Sequence, residues 1–164
     1  MRRWFVALAW AALPLAVSCS LIWPPPPPPF PVDLCLRSDP QAQLYNGKPA
    51  SLFVRVYPLT AVDVFNSMDV DELLKNPSPS FEGAVGTPQS RMMKSGSSEK
   101  LVFNAAEGQE YGFLGVVAGY YDLKGAPKRV IKADDLRTGT CYTVELGPSG
   151  IAGGAPAPTP TEEP

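Results

Sequence analysis

The sequence predicts a mainly β protein, a β-sandwich with one short helical insertion. Three observations carry this prediction. Apolar and polar residues alternate over several short segments, turn-forming residues separate these segments, and only one stretch starts and continues as a helix does. The part of the 164-residue chain between a Pro-rich segment and a Pro/Gly-rich tail is long enough for one core, so we predict a single domain at residues 32–147.

Six segments have the composition of strands, and two more are weaker candidates. Val32–Arg37 and Leu52–Tyr57 each place alternate aliphatic side chains on one face. Tyr111–Tyr121 is apolar throughout, which is typical of a central strand covered on both faces, and its glycines suggest bends or close packing. The others are Lys100–Phe103, Arg129–Ile131 and Thr140–Leu146, with Phe81–Val85 and Arg91–Met93 as the weaker pair.

One helical segment interrupts the strands. Asp69 and Glu72 have the spacing of a capping box at the start of Asp69–Lys75, and we expect a turn at Ala61–Ser67 before it. The acids at the helix start, which include Asp71, could form a cation site. However, a helix N-terminus attracts acids through its dipole, and the following residues lack ligands at calcium-loop spacing. We therefore predict no metal site.

The N-terminus has the features of a lipoprotein signal peptide. Two arginines precede an apolar stretch, Trp4–Val17, which is shorter than the ~20 residues that span a bilayer as a helix. Residues 16–19, Ala-Val-Ser-Cys, are similar to a bacterial lipobox, with the usual Leu one position early at Leu15. We predict that residues 1–18 are a signal peptide and that Cys19 is acylated. An ordinary signal peptide with a chance cysteine is the alternative.

Two further segments are predicted to lie outside the folded domain. Residues 19–31 contain the unbroken run Pro24–Pro29, and because proline fixes φ and lacks an amide hydrogen, we expect a semi-rigid polyproline II tether. A ligand for a proline-binding module is the alternative. Residues 148–164 are rich in Pro, Gly, Ala, Thr and Glu and are predicted to be a disordered tail.

The composition argues against several function classes. The net charge is −2 and no basic run is present, so nucleic acid is a poor candidate partner. The chain has no His, the commonest general base near neutral pH and a common metal ligand. Ser97-x-x-Lys100 has the spelling of a serine acyl-enzyme motif, but its companion-like Lys94-Ser95-Gly96 is too near to face it across a cleft. Asp134-Asp135 falls in a predicted turn. We expect neither catalysis nor a cofactor.

Cys35 and Cys141 lie on the polar sides of the first and last predicted strands. They could meet if those strands pair, in a compartment that permits disulfides; two thiols too far apart to bridge are the alternative. We favour the bridge. It would close a long loop, and such a constraint on the unfolded chain is worth about 4–5 kcal/mol.

The connection between the first two predicted strands, Ser38–Ser51, is long for a hairpin, and long loops are often functional or disordered. Asp39-Pro40 and Asn46-Gly47 are turn formers, whereas Leu44 and Tyr45 are apolar groups that a solvated loop does not need. Tyr is common at binding surfaces because it offers a large area with few rotatable bonds. Leu44 and Tyr45 either pack back onto the sandwich or contact a partner.

The order and spacing of three segments carry a family resemblance. Asn46–Leu59 is similar to a Gly-Arg-Pro-Ser stretch that leads into a Val-Arg-Val-Tyr-x-Leu strand, Phe65–Leu74 matches the helical segment after it, and Tyr111–Asp122 is similar to a Tyr-Leu-Gly-Val-Val-Ala strand. Together with the lipobox, they make the chain resemble the outer-membrane lipoprotein of the bacterial type VI secretion system, the TssJ (SciN) family, over most of Cys19–Leu146. Tyr121 departs from the family, which commonly has Arg there.

The resemblance implies a transthyretin-like β-sandwich with a small helical appendage and a non-enzymatic role. It further implies an outer-membrane lipid anchor, a periplasmic orientation, and binding to the periplasmic C-terminal region of TssM within the membrane complex that also contains TssL. The contact loop would be Ser38–Ser51, and the candidate contact residues are Asp39, Pro40, Gln41, Leu44, Tyr45 and Asn46.

A second function class stays open at this point, a periplasmic lipoprotein module that binds cell-wall glycan or a small ligand. Four tyrosines could stack on sugars, although such residues more often pack in strands; they are Tyr111, Tyr120, Tyr121 and Tyr142.

Overall fold

The computed structural model describes residues 31–76, 81–104, 111–121, 126–136 and 140–156. Within these ranges the fold is mainly β, with two four-stranded sheets and two short helices, which confirms the predicted β-sandwich with a helical insertion. The predicted signal peptide, Cys19, the run Pro24–Pro29 and the chain after Pro156 lie outside the described residues.

The first sheet is built around the first strand of the chain. Its spatial order is β10 (Gly150–Pro156), β9 (Tyr142–Gly147), β1 (Val32–Ser38) and β6 (Ser98–Phe103). β1 pairs antiparallel with β6 and parallel with β9, with Leu34 opposite Leu101 and Tyr142. The first and last strands predicted from the sequence are therefore neighbours.

The second sheet is antiparallel throughout. Its spatial order is β5 (Gln89–Met93), β4 (Leu52–Leu59), β7 (Phe113–Gly119) and β8 (Lys128–Lys132). Between β1 and β4 the chain forms a small separate hairpin of β2 (Leu44–Tyr45) and β3 (Lys48–Pro49).

The main core lies between the two sheets, because alternate side chains of each strand point inward. Leu34 and Leu36 of β1 and Val54 and Val56 of β4 are 0% exposed, as is Val144 of β9. The alternation read from the sequence therefore identifies the inward face of these strands correctly.

Two short helices, α1 (Asp63–Ser67) and α2 (Val70–Lys75), accompany a second apolar cluster. Its buried members come from the helices and from β4 and β7; they are Tyr57, Leu59, Phe65, Leu73 and Val117. β4 and β7 are therefore buried on both faces, which explains why Tyr111–Tyr121 reads as a continuous apolar run. Asp69 caps α2, as its carboxylate accepts a hydrogen bond from the Asp71 amide at 2.8 Å.

Three local predictions differ from the structure. Phe81–Val85 is not a strand and makes one isolated bridge, between Ala84 and Leu59. The predicted turn before α2 contains a five-residue helix, Asp63–Ser67. The tail predicted to be disordered from residue 148 contains β10, because the Gly-rich segment pairs with β9 through its backbone and buries Ile151 to 5% exposure.

In the described ranges, no helix has both the length and the apolar character needed to cross a membrane. The same ranges contain no group of three or more acidic or cysteine side chains placed to hold a metal ion.

Candidate partner-binding site

The strand that leads into the site is cross-linked to its neighbour in the sheet. Cys35 of β1 and Cys141, the residue before β9, form a disulfide with a Cα–Cα distance of 5.6 Å. The parallel pairing of β1 and β9 places Cys35 opposite Thr143 and so brings the two cysteines together. The disulfide fixes the strand from which the loop Ser38–Ser51 departs.

The first part of the loop turns sharply at Asp39. Its carboxylate accepts a hydrogen bond from the Gln41 amide at 2.7 Å, and its carbonyl accepts one from the Ala42 amide at 3.0 Å. The Asp39 amide donates to the carbonyl of Leu146 at 2.9 Å, which ties the turn to β9. Ser95 donates its hydroxyl to the Pro40 carbonyl at 2.6 Å. Asp39 and Pro40 are both exposed, and the hydrogen bonds they accept also fix the shape of the loop.

Gln43 closes the loop from within. Gln43 is 6% exposed, and its side-chain amide donates to the Ser51 carbonyl at 2.7 Å. The backbone carbonyl of Gln43 accepts a hydrogen bond from the Ala50 amide at 2.9 Å. A buried amide costs free energy unless it is hydrogen-bonded, so these bonds fix the distance between the two ends of the hairpin.

The tip of the hairpin exposes its apolar residues. Asn46 and Gly47 have φ angles of 51° and 73°, which Asn and Gly tolerate best in a tight turn. Leu44 is 48% exposed and Tyr45 is 61% exposed. The sequence left open whether these two residues pack onto the sandwich, and the structure shows them facing solvent. Ala42, at 5% exposure, is an apolar residue of the loop that does pack inward.

A tyrosine from another loop joins this surface. Tyr121, two residues after β7, is 72% exposed, and its ring centroid lies 5.7 Å from that of Tyr45. Its backbone amide donates to the side-chain oxygen of Gln43 at 3.1 Å. Neither Tyr121 nor Gln43 was predicted at the site from the sequence, although the chain departs at Tyr121 from the pattern of the family it resembles.

The six predicted contact residues share one end of the molecule and are all exposed; they are Asp39, Pro40, Gln41, Leu44, Tyr45 and Asn46. The turn that joins β9 to β10 lies at the same end, since Pro148 lines a cavity of about 240 Å³ together with Leu44 and Tyr121. A larger cavity of about 520 Å³ lies beside Asp39, and no aromatic side chain lines it.

The residues considered above for catalysis have hydrogen-bond or ion-pair partners of their own, or lie in a turn. Ser97 donates its hydroxyl to the Lys94 carbonyl at 2.7 Å, and the Lys100 ammonium pairs with Asp33 at 2.6 Å. Asp134 and Asp135 lie in a 3₁₀ turn, Ala133–Asp135.

The four tyrosines considered for sugar stacking differ in burial. Tyr111 is 3% exposed, Tyr120 and Tyr142 are half-buried, and Tyr121 alone of the four is exposed. Burial raises the pKa of Tyr120 to about 12 and also raises that of Tyr111. These four residues do not form a shared aromatic platform for a sugar.

Several solved structures similar to this chain are components of the type VI secretion system. The lipoprotein TssJ1 of Pseudomonas aeruginosa is similar with a TM-score of 0.61 and 20% identity, over 81% of this chain and 100% of that one. A chain in the structure described as the T6SS protein TssM C-terminal domain (869-1107) from EAEC gives a TM-score of 0.62 and 18% identity, over 79% and 98%. Serratia marcescens Lip, described as a membrane-bound component of the type VI secretion system, gives 0.57 and 18%, over 77% and 96%.

No curated protein matches the sequence significantly. The sequence model of one family, described as the type VI secretion lipoprotein VasD, EvfM and TssJ, matches residues 33–148. This match covers the chain from β1 to the end of β9, including both cysteines of the disulfide and the complete loop Ser38–Ser51, whereas β10 lies beyond it. The chain therefore belongs to the type VI secretion lipoprotein family of TssJ and VasD.

Proposed function

We propose that the protein is a non-catalytic docking lipoprotein of the type VI secretion membrane complex. Acylated at Cys19 and held on the periplasmic face of the outer membrane, it binds the periplasmic C-terminal region of TssM through the loop Ser38–Ser51. TssL belongs to the same assembly in this proposal.

The observation that carries the proposal is the exposed loop on a chain of this family. Leu44 and Tyr45 are exposed on a hairpin whose base is fixed by the hydrogen bonds of Gln43. A rigid loop with exposed apolar tips loses little conformational entropy on binding, which favours a protein–protein contact. The similar chain in the structure described for the TssM C-terminal domain supports TssM as the partner.

A loop graft tests the docking surface. Replacing Gln41, Ala42, Leu44 and Tyr45 with Gly or Ser in the mature chain, and keeping Gln43, should weaken binding to the purified TssM region at least about tenfold, because the apolar tips supply the contact. Circular dichroism and the thermal midpoint should change little, because the graft removes a single buried side chain, the methyl of Ala42. An unchanged affinity would place the interface elsewhere on the domain.

Metabolic labelling tests the anchor. The wild-type chain should incorporate radiolabelled palmitate at Cys19. It should also fractionate with the outer membrane, because a lipoprotein cysteine carries more than one acyl chain and more than one chain anchors a protein stably. The Cys19→Ser chain should incorporate none and appear in the periplasmic fraction. Wild-type protein without label would show that Cys19 is not acylated.

A further inference from the structure

We propose that Tyr121 completes the docking surface, and that Tyr45 and Tyr121 together hold one bulky apolar side chain of the partner. The inference rests on the function proposed above. It adds to the loop Ser38–Ser51 a residue that lies 70 positions or more away in sequence.

The pairing of β4 with β7 brings the two segments together. Gly119, the last residue of β7, lies opposite Phe53, the second residue of β4, so the chain leaving β7 passes the end of the docking loop. Gln43 then joins them: its side chain donates to Ser51 at 2.7 Å and accepts from the Tyr121 amide at 3.1 Å. One buried side chain therefore sets the position of Tyr121 relative to the hairpin.

The exposed apolar groups are concentrated at this place. Leu44, Tyr45 and Tyr121 are 48%, 61% and 72% exposed, and the two rings are tilted by 48° at a centroid separation of 5.7 Å. Tyr and Trp dominate the energetics of protein interfaces, since each buries a large area with few rotatable bonds. In the described ranges the other large exposed apolar residues are Met92 and Val102, on other strands.

The cavity beside the ring of Tyr121 is sized for a side chain. Its volume is about 240 Å³, and its lining residues include Gln41, Leu44, Tyr121 and Pro148. Tyr45 does not line it, but its ring contacts that of Tyr121 at the edge of the cavity. Pockets for drug-sized ligands start at about 300 Å³ and are largely enclosed. A single apolar side chain on a protein partner fits this shallow cavity better than a separate small molecule does.

The charge at the tip of the hairpin indicates which residue of the partner flanks its apolar side chain. The hairpin from Leu44 to Pro49 contains neither Asp nor Glu, and Lys48 is exposed directly opposite Tyr45 in it. The acids nearest in sequence to this surface are Asp39, at the start of the loop, and Asp122, which follows Tyr121. A carboxylate on the partner would meet Lys48 with complementary charge, which raises the association rate more than the affinity. We infer that the partner segment presents a bulky apolar residue next to an acid.

Isothermal titration of single variants tests the inference. The parent is the mature chain with Cys19→Ser, and the titrant is the purified periplasmic C-terminal region of TssM. Tyr121→Ala and Tyr45→Ala should each weaken Kd at least about tenfold, and Tyr121→Phe should stay within about threefold because it keeps the ring. Val102→Ala, which truncates an exposed apolar residue outside the patch, should leave Kd unchanged.

Two further measurements sharpen the test. The double variant Tyr45→Ala/Tyr121→Ala should lose less than the product of the two single losses if both rings hold one side chain. Lys48→Glu should slow association, and high salt should reduce the difference.

The outcomes separate this inference from the proposed function. A parent that binds TssM, with Tyr121→Ala binding equally well, overturns the inference and leaves the docking role intact. A parent that does not bind overturns the docking role and this inference with it. Circular dichroism of each variant establishes that the fold is retained, as expected for a residue that is 72% exposed.

Discussion

At the scale of single residues, two cations on the second sheet hold the helical insertion. Arg55 is 6% exposed and donates to the carbonyls of Leu73 and Asn76 at the end of α2. Lys128 donates to the carbonyls of Phe65, Asn66 and Met68 at the end of α1, the last two at 2.7 Å. The last carbonyls of a helix lack partners within it and carry partial negative charge, so these cations satisfy them. The Arg of the Val-Arg-Val-Tyr strand therefore has a structural role here.

The variant Arg55→Met should destabilise the domain by about 2–3 kcal/mol, because it removes the charged hydrogen bonds to the carbonyls of Leu73 and Asn76, although Tyr57 still donates to that of Leu73. Lys75→Met is the matched control: Lys75 pairs with Asp71 on the surface of the same helix and should leave stability unchanged. Urea unfolding measures both. An Arg55→Met protein as stable as the wild type would show that the carbonyls find other donors.

Stability at alkaline pH should depend on Tyr120. Burial raises its pKa in the folded state from 10.0 to about 12, so the folded chain keeps a proton that the unfolded chain releases. The free energy of unfolding should therefore fall as pH rises from 10 to about 12. Tyr120→Phe should show a smaller fall in urea titrations across that window. An equal fall in both proteins would assign it to other groups.

At the scale of elements, strand β10 links the edges of the two sheets. Ile151 of β10 donates its amide to the Ala126 carbonyl at 2.9 Å, next to β8 in the second sheet. Gly150 makes this approach possible with a φ of 106°; a Cβ there would lie 2.5 Å from the nitrogen and oxygen of Ala126. The sandwich is therefore partly closed along this side.

Gly150→Ala should destabilise the domain by about 2–4 kcal/mol, since it adds a backbone clash to an unfavourable φ. Gly47→Ala is the control, because Gly47 also has a positive φ, of 73°, but a Cβ there meets nothing within 4 Å. Its cost should stay at about 1–2 kcal/mol. Thermal or urea unfolding of the pair measures the difference, and equal costs would show that the contact with Ala126 can relax.

The strands with side-chain signals could be predicted from the sequence, whereas β10 could not. β1 alternates cleanly, the first half of β4 places Leu52, Val54 and Val56 on one face, and β7 is apolar throughout, so their faces follow from composition. β10 consists of Gly, Ala, Ile and Pro and is held through backbone pairing, which leaves little pattern in the sequence. The long connection Ser38–Ser51 could be predicted from the sequence, whereas the exposure of Tyr45 could not. The position of Tyr121 beside Tyr45 could not be predicted either, because only the pairing of β7 with β4 brings it there.

At the scale of the whole molecule, the chain enters and leaves the first strand at opposite ends. The residues that follow Cys19 in the sequence lead into β1 at Val32, and the loop Ser38–Ser51 leaves it at Ser38. β10 runs back alongside β9 and ends at Pro156 opposite Tyr142, so the tail leaves from the same end as the tether enters. In the proposed function, the domain therefore presents its loop away from the lipid surface.

Photo-crosslinking in cells tests this arrangement most directly. A photoreactive residue is placed at position 45, on the docking loop, or at position 102, where an exposed Val lies opposite Asp33 near the start of β1. Illumination of intact envelopes should give a covalent adduct with TssM from position 45 and none from position 102. An adduct from position 102 with none from position 45 would contradict docking through the loop.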